Sequence, residues 1–338
     1  IEIEVEEKPT GEVAAGAGVG TEGTSFNFFI TENNWLGRGV KLRGSLDVTE
    51  ESLRGGLDVT NPNYNYTGNE VSASFNSTKT DRLATSGYES TNTAAALATT
   101  FEQYKNIFLS PKISASYENV STDSSASSAM QKMDGDYASV EFDYGIYYDK
   151  RNQRFQPTQG FISQFNQSIP IYSDTPALLN TFTYSKYHLF TEDIVGSMKF
   201  LGKTINSLSS TEDVKISRRI YLPSSRLRGF KRGKFGPKDG DDHVGGNYAA
   251  ALSFGAALPN LLPEEMKTDV SMFFDSANLW GVDYDKSVGQ SDLIRSSMGV
   301  GANVFTPIGP LSIVLAHPIT KAKTDSTETF TFRLGTSF

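Results

Sequence analysis

The sequence predicts an all-β fold, a sixteen-stranded antiparallel transmembrane β-barrel with a long loop folded into its lumen. The first observation behind this prediction is the alternation at the end of the chain. Apolar residues take one parity there, and the other parity is polar or small; the apolar set is Phe330, Phe332, Leu334 and Phe338. A strand with one apolar face that ends on an aromatic residue is typical of the closing strand of a membrane β-barrel.

The composition agrees with membrane-crossing strands. The 338 residues are 12% aromatic, include 30 Gly, and have a mean hydropathy of -0.35. No apolar run is long enough for a membrane-spanning helix. The absence of Cys excludes disulfides, thiolate metal sites and a Cys nucleophile. The three His are scattered without a carboxylate at ligand-like spacing, so we expect solvent-facing or locally satisfied histidines rather than a metal site. Composition alone leaves a soluble protein open.

Alternating segments along the chain supply the third observation. Most of them are long enough to cross a bilayer obliquely. A soluble β-sandwich would also alternate, but its strands are usually shorter and sixteen of them would be unusual. In chain order the sixteen segments are 11–20, 24–32, 39–47, 52–60, 69–77, 93–101, 110–120, 138–148, 159–169, 179–190, 194–204, 246–256, 267–276, 293–304, 310–318 and 328–337.

The connections between these segments predict the orientation of the barrel. Turn-like links tend to alternate with longer loops rich in Ser, Asp and Gly, although 21–23 and 48–51 are short on the loop side. The turn-like links include 33–38, 191–193, 257–266 and 305–309, and the longer loops include 78–92, 121–137, 205–245 and 277–292. An even strand number puts both termini on one rim, and the short turns there predict that it faces the periplasm.

The longest connection, from about Asn206 to Gly245, is too long for a simple connector. Its part from Val214 to Lys238 holds nine cations and no acid, whereas the whole chain carries a net charge of -8, so the rest carries -17. We expect this loop to fold into the lumen with one Arg paired to a wall carboxylate. A solvated surface loop whose cations meet anionic lipid headgroups would account for the charge equally well.

Several motifs resemble the outer-membrane assembly factor family, of the superfamily that carries POTRA domains. The signature is RLRGF, formed by Arg226, Leu227, Arg228, Gly229 and Phe230. Further matches cover nearly the whole chain: Glu4–Gly11 (EVEEKPTG), Asn33–Gly39 (NNWLGRG), Gly236–Tyr248 (GPKDGDDHVGGNY), Phe273–Trp280 (FFDSANLW), Thr306–Leu311 (TPIGPL) and Phe330–Phe338 (FTFRLGTSF).

The resemblance implies a function. Such a barrel lies in the outer membrane of Gram-negative bacteria, receives unfolded β-barrel proteins from the periplasm and helps them insert, without ATP or a cofactor and not as an enzyme. The implied partners are those unfolded substrates, accessory lipoproteins of the assembly complex and outer-membrane lipids, with no nucleic acid. The chain begins on an alternating strand with no secretory signal, so we expect a piece of a longer protein, with 1–10 the remnant of the last periplasmic POTRA domain and 11–338 the barrel.

The resemblance also assigns residues inside the barrel. The signature Arg228 is expected to reach an aspartate on the wall, which corresponds to Asp275. A second wall carboxylate of the family, on the strand after the loop, is Ser253 here, and this departure leaves open whether another acid takes part.

The first strand predicts a mechanism from its residues. It is rich in Gly and Ala, which offer little side-chain packing and much backbone entropy, so its pairing with the last strand should be weak. A weak seam can open laterally and offer unpaired backbone to an incoming strand. A barrel corner where glycines relieve crowding is the alternative. The expected seam residues are Gly11, Gly16, Gly18 and Gly20 with Phe330, Phe332, Leu334 and Phe338.

Two other functions are weighed against assembly. A passive porin or protein-secretion pore of the same superfamily would have an unobstructed lumen and steady ion conductance. An enzyme embedded in the barrel would need a convergent nucleophile and base, and no Ser/His/Asp set has a placement better than chance.

Overall fold

The computed structural model describes residues 8–259, 261–285, 288 and 293–336, and it is a closed antiparallel barrel of sixteen strands. The predicted fold class and all sixteen strands are confirmed. The wall strands are β1 (Gly11–Gly20), β2 (Gly23–Trp35), β3 (Val40–Thr49), β4 (Ser52–Asn61), β5 (Glu70–Arg82), β6 (Tyr88–Tyr104), β7 (Ile107–Thr122), β8 (Gly135–Asp149), β9 (Gly160–Ser173), β10 (Ala177–Thr191), β11 (Ile194–Ser207), β14 (Tyr248–Leu258), β15 (Thr268–Trp280), β16 (Arg295–Thr306), β17 (Gly309–Thr320) and β18 (Phe330–Gly335).

Each wall strand pairs with its neighbours in chain order, and β18 closes the barrel against β1. Side chains alternate between an apolar outer face and the lumen because successive residues of a strand point to opposite sides. On β2, for example, Phe26, Phe28 and Ile30 are exposed on the outside, whereas Thr31 is buried. Within the described part of the chain, no helix is long and apolar enough to cross a membrane.

The connections form two rims. The rim that we call the turn rim carries 36–39, 62–69, 105–106, 150–159, 192–193, 259–267 and 307–308, and the opposite loop rim carries 21–22, 50–51, 83–87, 123–134, 174–176, 208–247, 281–294 and 321–329. Two short helices lie on the loop rim, α1 (Leu83–Ser86) and α2 (Ser128–Gln131). The predicted alternation of links is therefore present, with shifted boundaries.

One predicted loop is wrong. The segment 78–92 is mostly strand, because β5 runs on to Arg82 and β6 starts at Tyr88, with Lys79 opposite Thr91 in register. Polar residues occupy both faces of this extension, so the apolar alternation stops while the backbone pairing continues. Lys79 and Glu89 form an exposed ion pair across it.

The connection 208–247, which we call the lumen loop, lies inside the barrel and gives it an apolar core. Leu222, Leu227 and Phe230 of this loop are buried against Ile205 and Leu279 of the wall. A small hairpin of β12 (Lys238–Asp239) and β13 (Asp242–His243) ends the basic part of the loop. The burial of these side chains fixes the loop within the lumen.

Candidate functional site

The signature segment Arg226–Phe230 is held by its local backbone. Leu227 and Phe230 are almost fully buried, so they anchor the segment on both sides of Arg228. Gly229 has a positive φ of 90°, and a Cβ at this position would lie 3.1 Å from the Cβ of Ala316 on β17. Both the backbone conformation and the close approach to the wall therefore require glycine here.

The structure brings Arg228 and Asp275 together. The Arg228 guanidinium donates from Nε to Oδ2 and from Nη2 to Oδ1 of Asp275, both at 2.7 Å, and the Arg228 backbone N–H donates to Oδ2 at 3.1 Å. The Asp275 side chain is fully buried. The guanidinium also lies 3.4 Å above the ring of Phe273. Two parallel charged hydrogen bonds and a ring face make a rigid, directional anchor for the loop.

A hydrogen bond continues this anchor to the next strand. Ser297 on β16 lies opposite Asp275 in register and donates from Oγ to the Arg228 carbonyl oxygen at 2.5 Å. Ser253, the position of the expected second carboxylate, lies opposite Asp275 on the other side and is buried. Among the described residues no second acid binds Arg228, so Asp275 alone accepts both of its charged hydrogen bonds.

Other cations of the lumen loop meet carboxylates elsewhere in the barrel. Four pairs link the loop to separate parts of the barrel: Lys215 with Glu118, Arg218 with Glu141, Arg219 with Asp283 and Arg232 with Glu51. Glu118 and Glu141 lie on β7 and β8, on the side of the lumen away from Asp275. The expectation that the basic loop turns inward to an acidic barrel is therefore confirmed.

The seam between β1 and β18 is short and staggered. β1 pairs with β2 along all of Gly11–Gly20, whereas its register with the described residues of β18 covers Gly18–Gly20 against Arg333–Gly335. Two backbone hydrogen bonds flank this overlap, from Thr21 N–H to the Phe332 carbonyl at 3.1 Å and from Thr336 N–H to the Ala17 carbonyl at 3.2 Å. Among the described residues the seam has three register pairs, compared with ten between β1 and β2 and five between β17 and β18.

The predicted seam residues divide into two groups. Gly18, Gly20, Phe332 and Leu334 lie at the overlap, and Gly16 is beside Thr336. Gly11 and Phe330 lie at opposite ends of the stagger, since no described residue pairs with Gly11–Ala15 on the β18 side and Phe330 pairs with Leu315 of β17. Phe338 lies outside the described residues.

A side-chain contact closes the seam at the loop rim. Arg333 donates from Nη2 to Glu22 Oε2, in the turn after β1, at 2.8 Å and to Ser224 Oγ of the lumen loop at 3.0 Å. One guanidinium therefore joins the last strand, the first turn and the lumen loop. The seam and the signature segment are parts of one connected site.

Comparisons with known proteins identify the group of proteins to which this barrel belongs. The Omp85 superfamily domain matches residues 34–338. The chain belongs to the Omp85 superfamily. Its Omp85 relatives include the outer membrane protein assembly factor BamA of Neorickettsia risticii, which is 24% identical over the whole of this chain and 46% of its own length. BamA of Neisseria meningitidis serogroup B is 26% identical over 56% of this chain and 28% of its own length.

Solved structures agree on the fold. The crystal structure of BamA from Haemophilus ducreyi lacking POTRA domains 1–3 has a TM-score of 0.89 at 22% identity, covering 98% of this chain and 71% of that one. CdiB from Escherichia coli has a TM-score of 0.61 at 12% identity, covering 99% of this chain and 64% of that one. The Omp85 chain spans less than half of the length of the curated relatives, and family and fold together identify it as an outer-membrane β-barrel protein.

Two contacts of this Omp85 barrel were absent from the sequence prediction. Arg295 at the start of β16 and Asp325 in the last connection form a fully buried, bidentate ion pair at 2.8 and 3.0 Å. The segment 229–234 also pairs with Ser326–Glu328, through Lys231 N–H to the Ser326 carbonyl at 3.0 Å and Glu328 N–H to the Gly229 carbonyl at 2.9 Å. The lumen loop is therefore hydrogen-bonded to the backbone that leads into β18.

A buried histidine of the lumen loop should make the stability of the barrel depend on pH. His243 is buried, and desolvation together with Lys234 and Lys238 lowers the pKa of its imidazole from 6.5 to about 4. Below about pH 6.5 the unfolded chain takes up a proton that the folded loop resists, so stability should fall as the pH drops from 6.5 towards 4. Over this pH range we expect the unfolding free energy of the His243→Gln variant to fall by about 1–3 kcal/mol less than that of the wild type.

Urea denaturation of both proteins at pH 7.5 and pH 5.0 measures this effect. All other titratable groups are the same in the two proteins. The difference between the pH dependences of their unfolding free energies therefore isolates His243. An identical decrease in the wild type and the variant would show that His243 is not the group responsible.

Proposed function

We propose that this chain is the barrel of an outer-membrane assembly factor that inserts β-barrel proteins through the seam between β1 and β18, without ATP. Unfolded β-barrel proteins are its substrates, accessory lipoproteins and outer-membrane lipids are its partners, and the turn rim with both termini faces the periplasm. Similarity to BamA over the whole chain supports this proposal. The signature residues, with Arg228 held by Asp275, fix the lumen loop beside the seam.

The stagger of the seam is the observation that carries the proposal. It leaves the Gly11–Ala15 edge of β1 without a described β18 partner, and this edge lies at the turn rim. A substrate that arrives from the periplasm would meet backbone N–H and C=O groups that no described residue of β18 pairs, and it could add a strand there by β-augmentation. Opening the short overlap would then let successive strands enter the wall.

A passive porin or protein-secretion pore is the alternative. The lumen loop counts against it, because Leu222, Leu227 and Phe230 pack against the wall and occupy part of the lumen. Four ion pairs on separate parts of the barrel hold the same loop in place. An assembly factor needs no permanently open channel, so a loop held inside the lumen favours assembly.

A disulfide across the seam tests the proposal. Val19 and Leu334 are in register, where opposite Cα atoms lie about 5.5 Å apart, within the range that a disulfide spans. These 338 residues contain no Cys, so Val19→Cys with Leu334→Cys gives a single possible disulfide within the barrel. In full-length protein reconstituted in nucleotide-free liposomes, oxidation should reduce insertion of a substrate barrel to the protein-free rate, and reduction should restore it.

A matched pair controls for the disulfide itself. Val13→Cys with Ile30→Cys joins β1 to β2, which are already paired along their length, at two outward-facing positions. This bond leaves the seam free, so insertion should continue under oxidation. Insertion that is indifferent to the Val19–Leu334 bond would contradict the lateral route, and steady conductance without insertion would favour a pore.

A further inference from the structure

A cavity of about 390 Å³ lies inside the barrel between the signature segment and the wall. It reaches from β11 and β14 on one side to β17 and β18 on the other, so it adjoins the seam strand. Four cations line it, Lys199, Arg226, Arg228 and Arg333, with Glu22 as the one carboxylate among the lining residues. Hydroxyl groups of Ser224, Ser225, Ser253, Ser312 and Thr331 complete the polar lining.

The register of three strands explains why positive charge collects here. Lys199 on β11 lies directly opposite Ser253 on β14, and Ser253 lies opposite Asp275 on β15. Arg228 occupies both oxygens of Asp275. The short Ser253 side chain therefore stands between Lys199 and the nearest wall carboxylate in this row, and Lys199 has no ion pair with any described residue.

The other charged residues of the cavity do not neutralise the positive charge of Lys199. Glu22 is paired with Arg333, and Arg226 forms no ion pair among the described residues. Arg226 and Arg228 line the same cavity as Lys199, so three cationic side chains share this space. Lys203, two steps further along the same face of β11, is also without a described carboxylate partner. Uncompensated like charges held together in a lumen attract an anion.

We propose that this cavity is an oxyanion-binding site that takes a carboxylate or phosphate group. The Lys199 ammonium and the Arg226 guanidinium supply the charge, and the Ser224 and Ser253 hydroxyls supply further donors. The volume accommodates a small oxyanion or the end of a peptide chain. The site stands on charges and cavity geometry alone, so it holds whether or not the seam serves as a route of insertion.

Calorimetric titration of the purified barrel with inorganic phosphate tests the site. Constant ionic strength separates binding from general screening. We expect saturable binding to the wild type and about tenfold weaker binding to Lys199→Gln, since one charged hydrogen bond is lost. Lys112→Gln is the matched control, because Lys112 also faces the lumen but is 3.2 Å from Asp143. Its phosphate affinity should equal that of the wild type.

A second variant adds the missing charge. Ser253→Glu places a carboxylate opposite Lys199 and should abolish phosphate binding while keeping the barrel folded, as shown by its heat-modifiable mobility.

Two peptides that differ only in a free carboxylate or an amide at the C terminus distinguish a chain-end ligand from a free oxyanion. Preference for the carboxylate peptide identifies a chain end, and binding of phosphate alone identifies a free anion. Absence of saturable binding of every probe, or equal affinity in Lys199→Gln, would overturn the proposal.

Discussion

Replacing Arg228 with Ala is expected to lower the free energy of unfolding by about 3–5 kcal/mol. The Asp275 side chain has no exposed surface, and the described hydrogen bonds to its two oxygens all come from Arg228. The variant retains the backbone N–H but loses both charged donors, which leaves a buried carboxylate without its cation. The lumen loop should loosen at the same time, because the bidentate contact joins it to β15.

Urea denaturation measures this loss, with the heat-modifiable mobility of the barrel as the readout of the folded fraction. The double variant Arg228→Ala/Asp275→Asn removes the buried charge as well and should recover part of the stability, since the cost arises from the uncompensated carboxylate rather than from the missing side chain. Substrate insertion by full-length protein should fall with stability. Unchanged mobility and unchanged insertion in Arg228→Ala would contradict a structural role for the pair.

The wall of this barrel was predictable because alternation is a local property of each strand. Within the membrane-facing band of the wall, outward residues meet an apolar environment. The alternation of apolar and polar residues in β2 or β16 can therefore be recognised without knowledge of the neighbouring strands. The pattern ends where a strand rises beyond the apolar band. This is why the extensions of β5 and β6 on either side of 83–87 appeared to be a loop, although their backbones stay paired.

The site was only partly predictable, because it depends on registers between distant segments. The Gly-rich composition of β1 predicted a weak seam, but the stagger, in which the described residues of β18 pair with Gly18–Gly20 of β1, follows from how the two strands align. The sequence resemblance directed attention to Arg228 and Asp275. Composition gave no signal for Lys199 opposite Ser253, since these residues are 54 positions apart and meet only across β11 and β14.

The Asp325→Ala substitution is also expected to destabilise the barrel by about 3–5 kcal/mol, because it leaves a buried positive charge without its partner, whereas Arg228→Ala leaves a buried negative one. It leaves the Arg295 guanidinium buried with only the neutral acceptors Asn278 Oδ1 at 2.9 Å and the Leu293 carbonyl at 3.3 Å. Asp325 also accepts hydrogen bonds from the backbone N–H groups of Ala322 at 2.7 Å and Gly236 at 3.4 Å. The substitution therefore removes the side-chain contacts that join the last connection to β16 and to Gly236 of the lumen loop, while the backbone hydrogen bonds of Ser326 and Glu328 remain.

Two comparisons separate the buried charge from general loss of contacts. Adding Arg295→Met to Asp325→Ala should restore stability in part, because an apolar side chain tolerates the dry site that an unpaired guanidinium does not. Asp241→Ala removes a fully exposed aspartate that is 3.4 Å from Lys238, and its unfolding free energy should stay within about 0.5 kcal/mol of the wild type. If Asp325→Ala and Asp241→Ala proved equally mild in urea denaturation, the Arg295–Asp325 pair would not be what ties the final connection, and with it the approach to β18, to the rest of the barrel.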